Sequence, residues 1–305
     1  MTEQPLIDPI ELAAELAGAT PPVLLDIRWT YAGPQPGAYR EGHVPGAVFV
    51  DLDADLAAPA GQNVPGTSEA GGRHPLPDPA ALQQVWRAAG IDDDSAVVVY
   101  DGENSSIAAR AWWLLRWSGL ADVRVLDGGY PAWQRAGQAV ETGPASAPAA
   151  GTVVVRPGGM PTVDIDGAAA AGAQDDQVLL DARSAERYRG ESEPLDPVAG
   201  HIPGAVNLPL TELVTAAGTF RPPAELTARL AAAGVVGAST TAADGSTAPG
   251  GDRADAAALP VASCGSGVTA CQLILAGRIA GLQLALYPGS YSGWCAANRP
   301  IATGP

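Results

Sequence analysis

The chain contains no lysine; its 17 basic side chains are all arginines, set against 33 acidic groups for a net charge of −16. So acidic a chain repels phosphates and anionic surfaces at long range, which excludes nucleic acid and an acidic membrane as partners. An anionic small molecule binds only through a local device that overrides that field. Cysteine and histidine are equally scarce, three of each. An odd number of cysteines in a chain this long makes no disulfide framework. The scattered histidines and cysteines form no ligand pair at metal spacing, so no metal and no other cofactor is expected. Long apolar runs are missing too. The most apolar stretch, Val268 to Tyr287, is broken by Gln272, Arg278 and Gln283 and does not read as a membrane span. Near the start, Glu3, Asp8, Glu11 and Glu15 stand where a secretory signal needs basic residues. The expectation is a reduced, cytoplasmic protein with no membrane partner.

What the chain does have is hydrophobic residues at 47%, with 37 Gly and 28 Pro, over 305 residues. That composition is globular, and the length suits two domains of about 100–200 residues each. Internal similarity supports the pair. Leu24-Leu25-Asp26-Ile27-Arg28 recurs as Leu179-Leu180-Asp181-Ala182-Arg183, and Gly42-His43-Val44-Pro45-Gly46-Ala47-Val48 as Gly200-His201-Ile202-Pro203-Gly204-Ala205-Val206. Gly128-Gly129-Tyr130-Pro131-Ala132-Trp133 is echoed by Gly289-Ser290-Tyr291-Ser292-Gly293-Trp294. Colinear matches at a slowly drifting offset mean one domain duplicated. The division expected is 1–143, a linker over 144–151, and 152–305.

Each copy alternates short, mainly apolar runs with longer helical patterns. The runs are 23–27, 47–52, 96–100 and 123–126, then 178–182, 205–210, 259–263 and 282–287, with an added strand over 152–156. Such runs fit strands buried on both faces of a mainly parallel sheet. Segments 79–89, 106–117 and 224–233 fit helices covering both faces of that sheet, giving an α/β fold in each copy. Residues 237–257 are small, polar and aperiodic, and read as a mobile insertion whose plain interpretation is a tolerated surface loop.

The sharpest chemical signal is Leu259–Cys271, LPVASCGSGVTAC. A buried strand ends at Cys264, a glycine turn follows, and a helix begins, with Val268, Cys271, Leu275 and Ile279 spaced for one apolar face. A cysteine placed there lies over a helix amino end, among backbone N–H groups that stabilise a thiolate and any anion attached to it. Gly265 and Gly267 permit the tight curl. The product is a nucleophile and a persulfide carrier.

The loop from Cys264 to Ala270, both GH[VI]PGAV segments and the duplicated layout resemble the tandem-domain rhodanese-type sulfurtransferases over nearly the whole chain. CGSGVTA is most similar to the 3-mercaptopyruvate branch; thiosulfate enzymes typically carry basic side chains after the cysteine. The resemblance implies two rhodanese-like domains. The first, with Asp101 at the cysteine position, is catalytically silent. It further implies that Cys264 takes sulfane sulfur from a small-molecule donor and gives it to cyanide or to a thiol, such as a thioredoxin-like protein or a low-molecular-weight thiol. Gly265, Ser266, Gly267, Val268 and Thr269 would cradle the substrate, and Arg187 would bind its carboxylate through paired hydrogen bonds. His74 and Asp53 would join Ser266 in a proton relay. The animal-type enzymes have a second arginine about nine residues beyond the first; here that place falls near Asp196, with Arg189 the nearest substitute.

Alternative readings are a thiosulfate sulfurtransferase and a non-enzymatic persulfide relay. Thiosulfate is disfavoured because Gly265 and Ser266 offer a dianion no charge. A related phosphatase is excluded because its loop ends in arginine six residues after the cysteine, where Ala270 stands. Cys271 and Cys295 read as buried small hydrophobes. His43 and His201 recur in both copies, as do Asp26 and Asp181, so they read as structural. The cluster Trp112, Trp113 and Trp117 reads as core.

Overall fold

In the computed structural model, which describes residues 4–62, 71–144, 147–174, 177–235, 256 and 258–305, the short, mainly apolar runs form parallel strands. Val97–Tyr100, VVVY, is buried at every position because it has no solvent face to satisfy. The chain divides into two compact units. One is Met1–Ala57, Pro77–Gly159 and Val214–Phe220; the other is Ala58–Leu76, Met160–Leu213 and Arg221–Pro305.

The first unit has strands β1 (Leu6–Ile7), β2 (Val23–Asp26), β3 (Trp29–Thr30), β4 (Gly33–Pro34), β5 (Val48–Phe49), β6 (Val97–Tyr100) and β7 (Val123–Leu126). Its helices are α1 (Pro9–Leu16), α2 (Pro36–Glu41), α3 (Leu52–Asp55), α4 (Pro79–Ala88), α5 (Ala108–Trp117) and α6 (Gly129–Arg135). Five strands form a sheet in the order β1-β7-β6-β2-β5, every pairing parallel. On one face Leu24, Val98, Tyr100 and Leu126 pack with Leu12 of α1 and with Tyr130 and Trp133 of α6. Alternation along β6 turns Val97 and Val99 the other way, where α5 covers β6 and β7. Trp112 and Trp113 of α5 are buried, with Trp117 stacked on Trp113, as a core role requires.

The second unit has β8 (Leu179–Asp181), β9 (Ala205–Asn207), β10 (Val261–Ser263) and β11 (Ala285–Leu286), in the parallel order β11-β10-β8-β9. Its helices are α7 (Ile165–Ala173), α8 (Ala185–Arg189), α9 (Pro223–Ala232), α10 (Ala270–Ile279) and α11 (Ser290–Ala296). Ala168 and Ala171 of α7 and Tyr291 and Trp294 of α11 pack on Leu179 and Val261. Helix α10 touches α9, β10 and β11.

The duplicated motifs make duplicated turns. The Arg28 N–H and guanidinium bond to Asp26, and Nη2 reaches Gly42 O at 2.7 Å. Arg183 repeats this on Asp181 and on Gly200 O, also at 2.7 Å. His43 stacks on Tyr39 and bonds to its carbonyl; His201 does the same with Tyr188. These histidines hold turns.

Three expectations need correction. Residues 152–156 form no strand, because the N–H groups of Thr152 and Val154 go to the side chains of Asp92 and Asp93, and those of Val153 and Arg156 to the carbonyls of Ile91 and Ser118. Val268 lies in the loop rather than the helix. Helix α10 has no exposed stripe over most of its length, since every residue from Ala270 to Gly277 is buried. The expected insertion at 237–257 lies outside the described residues, apart from Ala256, which is buried. Among the described residues, no helix is long and apolar enough to cross a membrane.

Candidate active site

Strand β10 ends with Ser263 in register with Asp181, and Ser263 Oγ donates to Leu180 O at 2.9 Å. Cys264 follows at the carboxyl end of the sheet, where a parallel strand hands over to the loop before a helix. The residue is only 1% exposed. Its N–H donates to Ser290 Oγ (3.1 Å), its carbonyl accepts from Tyr291 N–H (3.0 Å), and Gly265 O accepts from Ser292 N–H (2.9 Å). The loop is thus pinned to the start of α11. The thiol sulfur in turn accepts from Gly267 N–H at 3.1 Å, with Ser290 Oγ 4.0 Å away. Gly267 holds φ +80°, and a Cβ there would strike the Pro288 carbonyl. Gly265 is glycine for a different reason. A Cβ there would lie 2.9 Å from Arg73 Nη2 and 3.5 Å from both terminal nitrogens of Arg187. Its missing side chain leaves room for two guanidiniums.

The first copy shows what this kind of loop is built to hold. Asp101 Oδ1 accepts from the N–H groups of Glu103 and Ser105, and Oδ2 from those of Ile107 and Ala108, all at 2.9–3.0 Å. Four backbone donors converge on one anion, which here is the chain's own carboxylate. A carboxylate forms no persulfide.

Around Gly265 the second unit carries an alternating chain of charges. Asp181 bonds Arg183, Arg183 reaches Glu193 (3.2 Å), and Glu193 takes Arg187 Nε and Nη2 (3.1 and 2.7 Å). Arg187 Nη2 also reaches Asp196 (3.2 Å), whose other oxygen pairs with Arg73. Burial pushes Glu193 up, but the Arg187 hydrogen bonds and the N–H groups of Leu195 and Asp196 more than reverse it, leaving its carboxyl below the usual range. Burial also acts on Asp196 and, despite Arg73 and Arg187, leaves it above the usual range, with the nearby Glu193 charge adding to the rise. Arg189 does not supply the missing arginine: it faces outward and pairs with Glu191 at 2.7 Å. Arg73 brings the second guanidinium instead, from a segment that packs with the second unit. The loop therefore has positive charge beside it, contrary to the reading of Gly265 and Ser266 alone.

The relay is brought together in part. His74 Nδ1 lies 2.8 Å from Ser266 Oγ. Asp53 falls in the first unit, in α3, where it accepts from Trp29 Nε1 at 2.9 Å. Val268 and Thr269 lie in the loop between Gly267 and α10. Cys271 is buried with its thiol on Gly267 O, and burial holds the Cys295 thiol above its ordinary value despite a hydrogen bond from Tyr291.

A family model for the rhodanese-like domain matches residues 8–136 and again 166–297. The chain belongs to the rhodanese family. As a tandem member it is a sulfurtransferase enzyme, with a sulfur donor and a sulfur acceptor as substrates. A Pseudomonas aeruginosa relative named "Probable 3-mercaptopyruvate sulfurtransferase" is 42% identical over 317 residues, covering 100% of both chains. The Mycobacterium tuberculosis protein SseB, provisionally named a thiosulfate sulfurtransferase, is 40% identical over 308 residues, covering 99% of this chain and 98% of its own. Among solved structures, the 3-mercaptopyruvate sulfurtransferase of Leishmania major superposes with a TM-score of 0.76 at 29% identity, over 98% of this chain and 76% of that one.

Within this rhodanese-family frame, three site residues escaped the sequence reading. Arg73 directly precedes His74 in Gly72-Arg73-His74-Pro75, and nothing local in that segment marks it as a site residue. Ser290 and Ser292 replace Gly129 and Pro131 of the first copy. Hydroxyls found only in the cysteine-bearing copy were a readable signal.

Proposed function

We propose that Cys264 is the nucleophile of a 3-mercaptopyruvate sulfurtransferase. The thiolate attacks the donor sulfur, an S–S bond forms, and the donor C–S bond breaks. The carbon fragment leaves as pyruvate enolate and takes up the proton that the donor thiol gave, so the products are pyruvate and a Cys264 persulfide. Ser266 Oγ and His74 Nδ1, 2.8 Å apart, are placed to carry that proton. The acceptor, a low-molecular-weight thiol, a thioredoxin-like protein or cyanide, then removes the outer sulfur.

One observation carries this reading: two anion positions stand side by side. Gly267 N–H points at the sulfur, where persulfide charge develops. Arg73 and Arg187 turn guanidinium nitrogens to the neighbouring residue, Gly265, at the right place for a carboxylate on the same small donor. Chemistry is thus assigned to the 152–305 copy, which borrows Arg73 and His74 from the sequence of the other, while the Asp101 copy carries none. The three free thiols fit a reducing cytoplasm.

Intact-mass analysis after exposure to 3-mercaptopyruvate should show one added sulfur, mapped to Cys264, with pyruvate released. Cys264→Ser should abolish transfer, while Cys271→Ala and Cys295→Ala keep most of it. Sulfur on Cys271 or Cys295 would overturn the assignment. The M. tuberculosis relative makes thiosulfate the donor to run beside mercaptopyruvate.

A further inference from the structure

The charge chain beside Gly265 contains three guanidiniums, on Arg73, Arg183 and Arg187, and three carboxylates, on Asp181, Glu193 and Asp196. Its formal sum is zero. Asp196 is the carboxylate that touches both loop-facing arginines. Its side chain is 2% exposed, so it is a fixed part of the site. A turn builds it in: Glu193 Oε1 accepts from Leu195 N–H at 3.0 Å and from Asp196 N–H at 3.1 Å. Arg73 is held from behind, its N–H donating to Ser292 Oγ at 3.0 Å. Asp196 thus takes Arg73 Nη1 and Arg187 Nη2, and leaves Arg73 Nη2 and Arg187 Nη1, both near Gly265, for a ligand.

We infer that Asp196 sets donor charge selectivity, holding Arg73 and Arg187 in place while bringing the net charge of the cluster from +1 to zero, so that the site takes a monoanionic carboxylate and discriminates against a dianion. Without the Asp196 charge the cluster would carry a net +1 and would favour a dianion, because each unit of ligand charge interacts separately with the site. Restoring neutrality in a half-dry site takes that advantage away and leaves hydrogen-bond geometry, which suits a planar carboxylate. Asp196 is therefore a positioning and specificity residue that acts through the arginines. The inference rests on the function proposed above.

The test compares Asp196→Asn, which keeps shape and an acceptor oxygen but loses charge, with Asp196→Glu, which keeps charge. kcat/KM is measured for 3-mercaptopyruvate and for thiosulfate in each. Asp196→Asn should raise the thiosulfate-to-mercaptopyruvate ratio by about tenfold, and Asp196→Glu should leave it within about twofold. A ratio unmoved in Asp196→Asn, or moved equally in both variants, overturns the inference. If Asp196→Asn fails to fold, competitive inhibition of the unaltered enzyme serves: pyruvate should inhibit more strongly than sulfate, and equal inhibition overturns the inference. Failure of the unaltered protein to load sulfur onto Cys264 from either donor instead overturns the underlying function, and the inference with it.

Discussion

Ser290 shows how a single side chain separates the active copy from the silent one. It holds φ +48°, a left-handed backbone that costs a non-glycine residue about 1–2 kcal/mol. The matching Gly129 of the first copy has φ +58° and could not carry a side chain, since a Cβ would lie 2.7 Å from Asp101 O. Strain kept at a residue whose hydroxyl accepts the Cys264 N–H and donates to Tyr287 O is strain with a use. Ser290→Ala should lose about 2 kcal/mol, because the strain stays while a buried N–H loses its partner. Ser290→Gly should recover part of that, because glycine adopts the angle freely. Both should lose sulfur transfer to a similar degree, by pre-steady-state pyruvate release. Activity that tracks melting temperature across the pair would make Ser290 merely structural. At this scale the sequence was informative about chemistry and poor about proximity. Cys264 was legible from strand, glycine turn and helix in one stretch. Arg73 was not, because its partner Asp196 is distant in sequence and nothing local ties an arginine in a proline-rich segment to it.

At the scale of the element, the strand–loop–helix unit occurs twice with opposite contents. In the first copy four N–H groups end on the carboxylate of buried Asp101. Replacing it by alanine strands them, and each buried unsatisfied donor costs about 1–3 kcal/mol before relaxation or entering water repairs it. Asp101→Ala should therefore lose about 3 kcal/mol or more in chemical denaturation. Asp101→Asn should lose less, since its carbonyl oxygen still accepts two of the bonds. Neither change touches the loop at Cys264, and sulfur loading of the folded fraction should persist. An alanine variant as stable as the parent would show that the loop does not depend on its anion. Most elements were legible because an apolar run of four or five residues can be satisfied only inside a sheet. Most of the observed strands are shorter than the runs, since their ends turn away from the ladder: β5 keeps Val48–Phe49 of the run 47–52, whereas β7 fills its run, 123–126. Strand β1 was not legible. Its two residues lie in an acidic stretch with a helical continuation and become a strand only by pairing with β7.

For the whole molecule, the absence of lysine means that the positive charges do not titrate in any ordinary pH range. Stability against pH is then set chiefly by the carboxylates and the net charge. Burial leads the rise of Asp127 above the usual range, against the N–H groups of Phe220 and Gly128. Burial also leads for Asp55, against the Asp51 N–H and aided by the Asp51 charge. A raised carboxyl binds its proton more tightly folded than unfolded, so its contribution is present below the unfolded pKa and fades as pH rises through the folded one. Glu193 has the opposite sign: its contribution is present above the unfolded value and is lost as pH falls through its depressed one. Falling pH also reduces the self-repulsion of a chain at −16. The melting temperature should therefore rise as pH is lowered from about 8 and pass through a maximum near pH 5–6, before depressed groups such as Glu193 protonate. Added salt should raise it most at the alkaline end, where repulsion is greatest. Asp127→Asn separates the buried group from the net charge. It should weaken the gain in stability on acidification while leaving most of the salt response, read by thermal unfolding across a pH and salt grid. A melting temperature that falls steadily from pH 8 to pH 5 would show that depressed carboxylates outweigh both the buried groups and the repulsion.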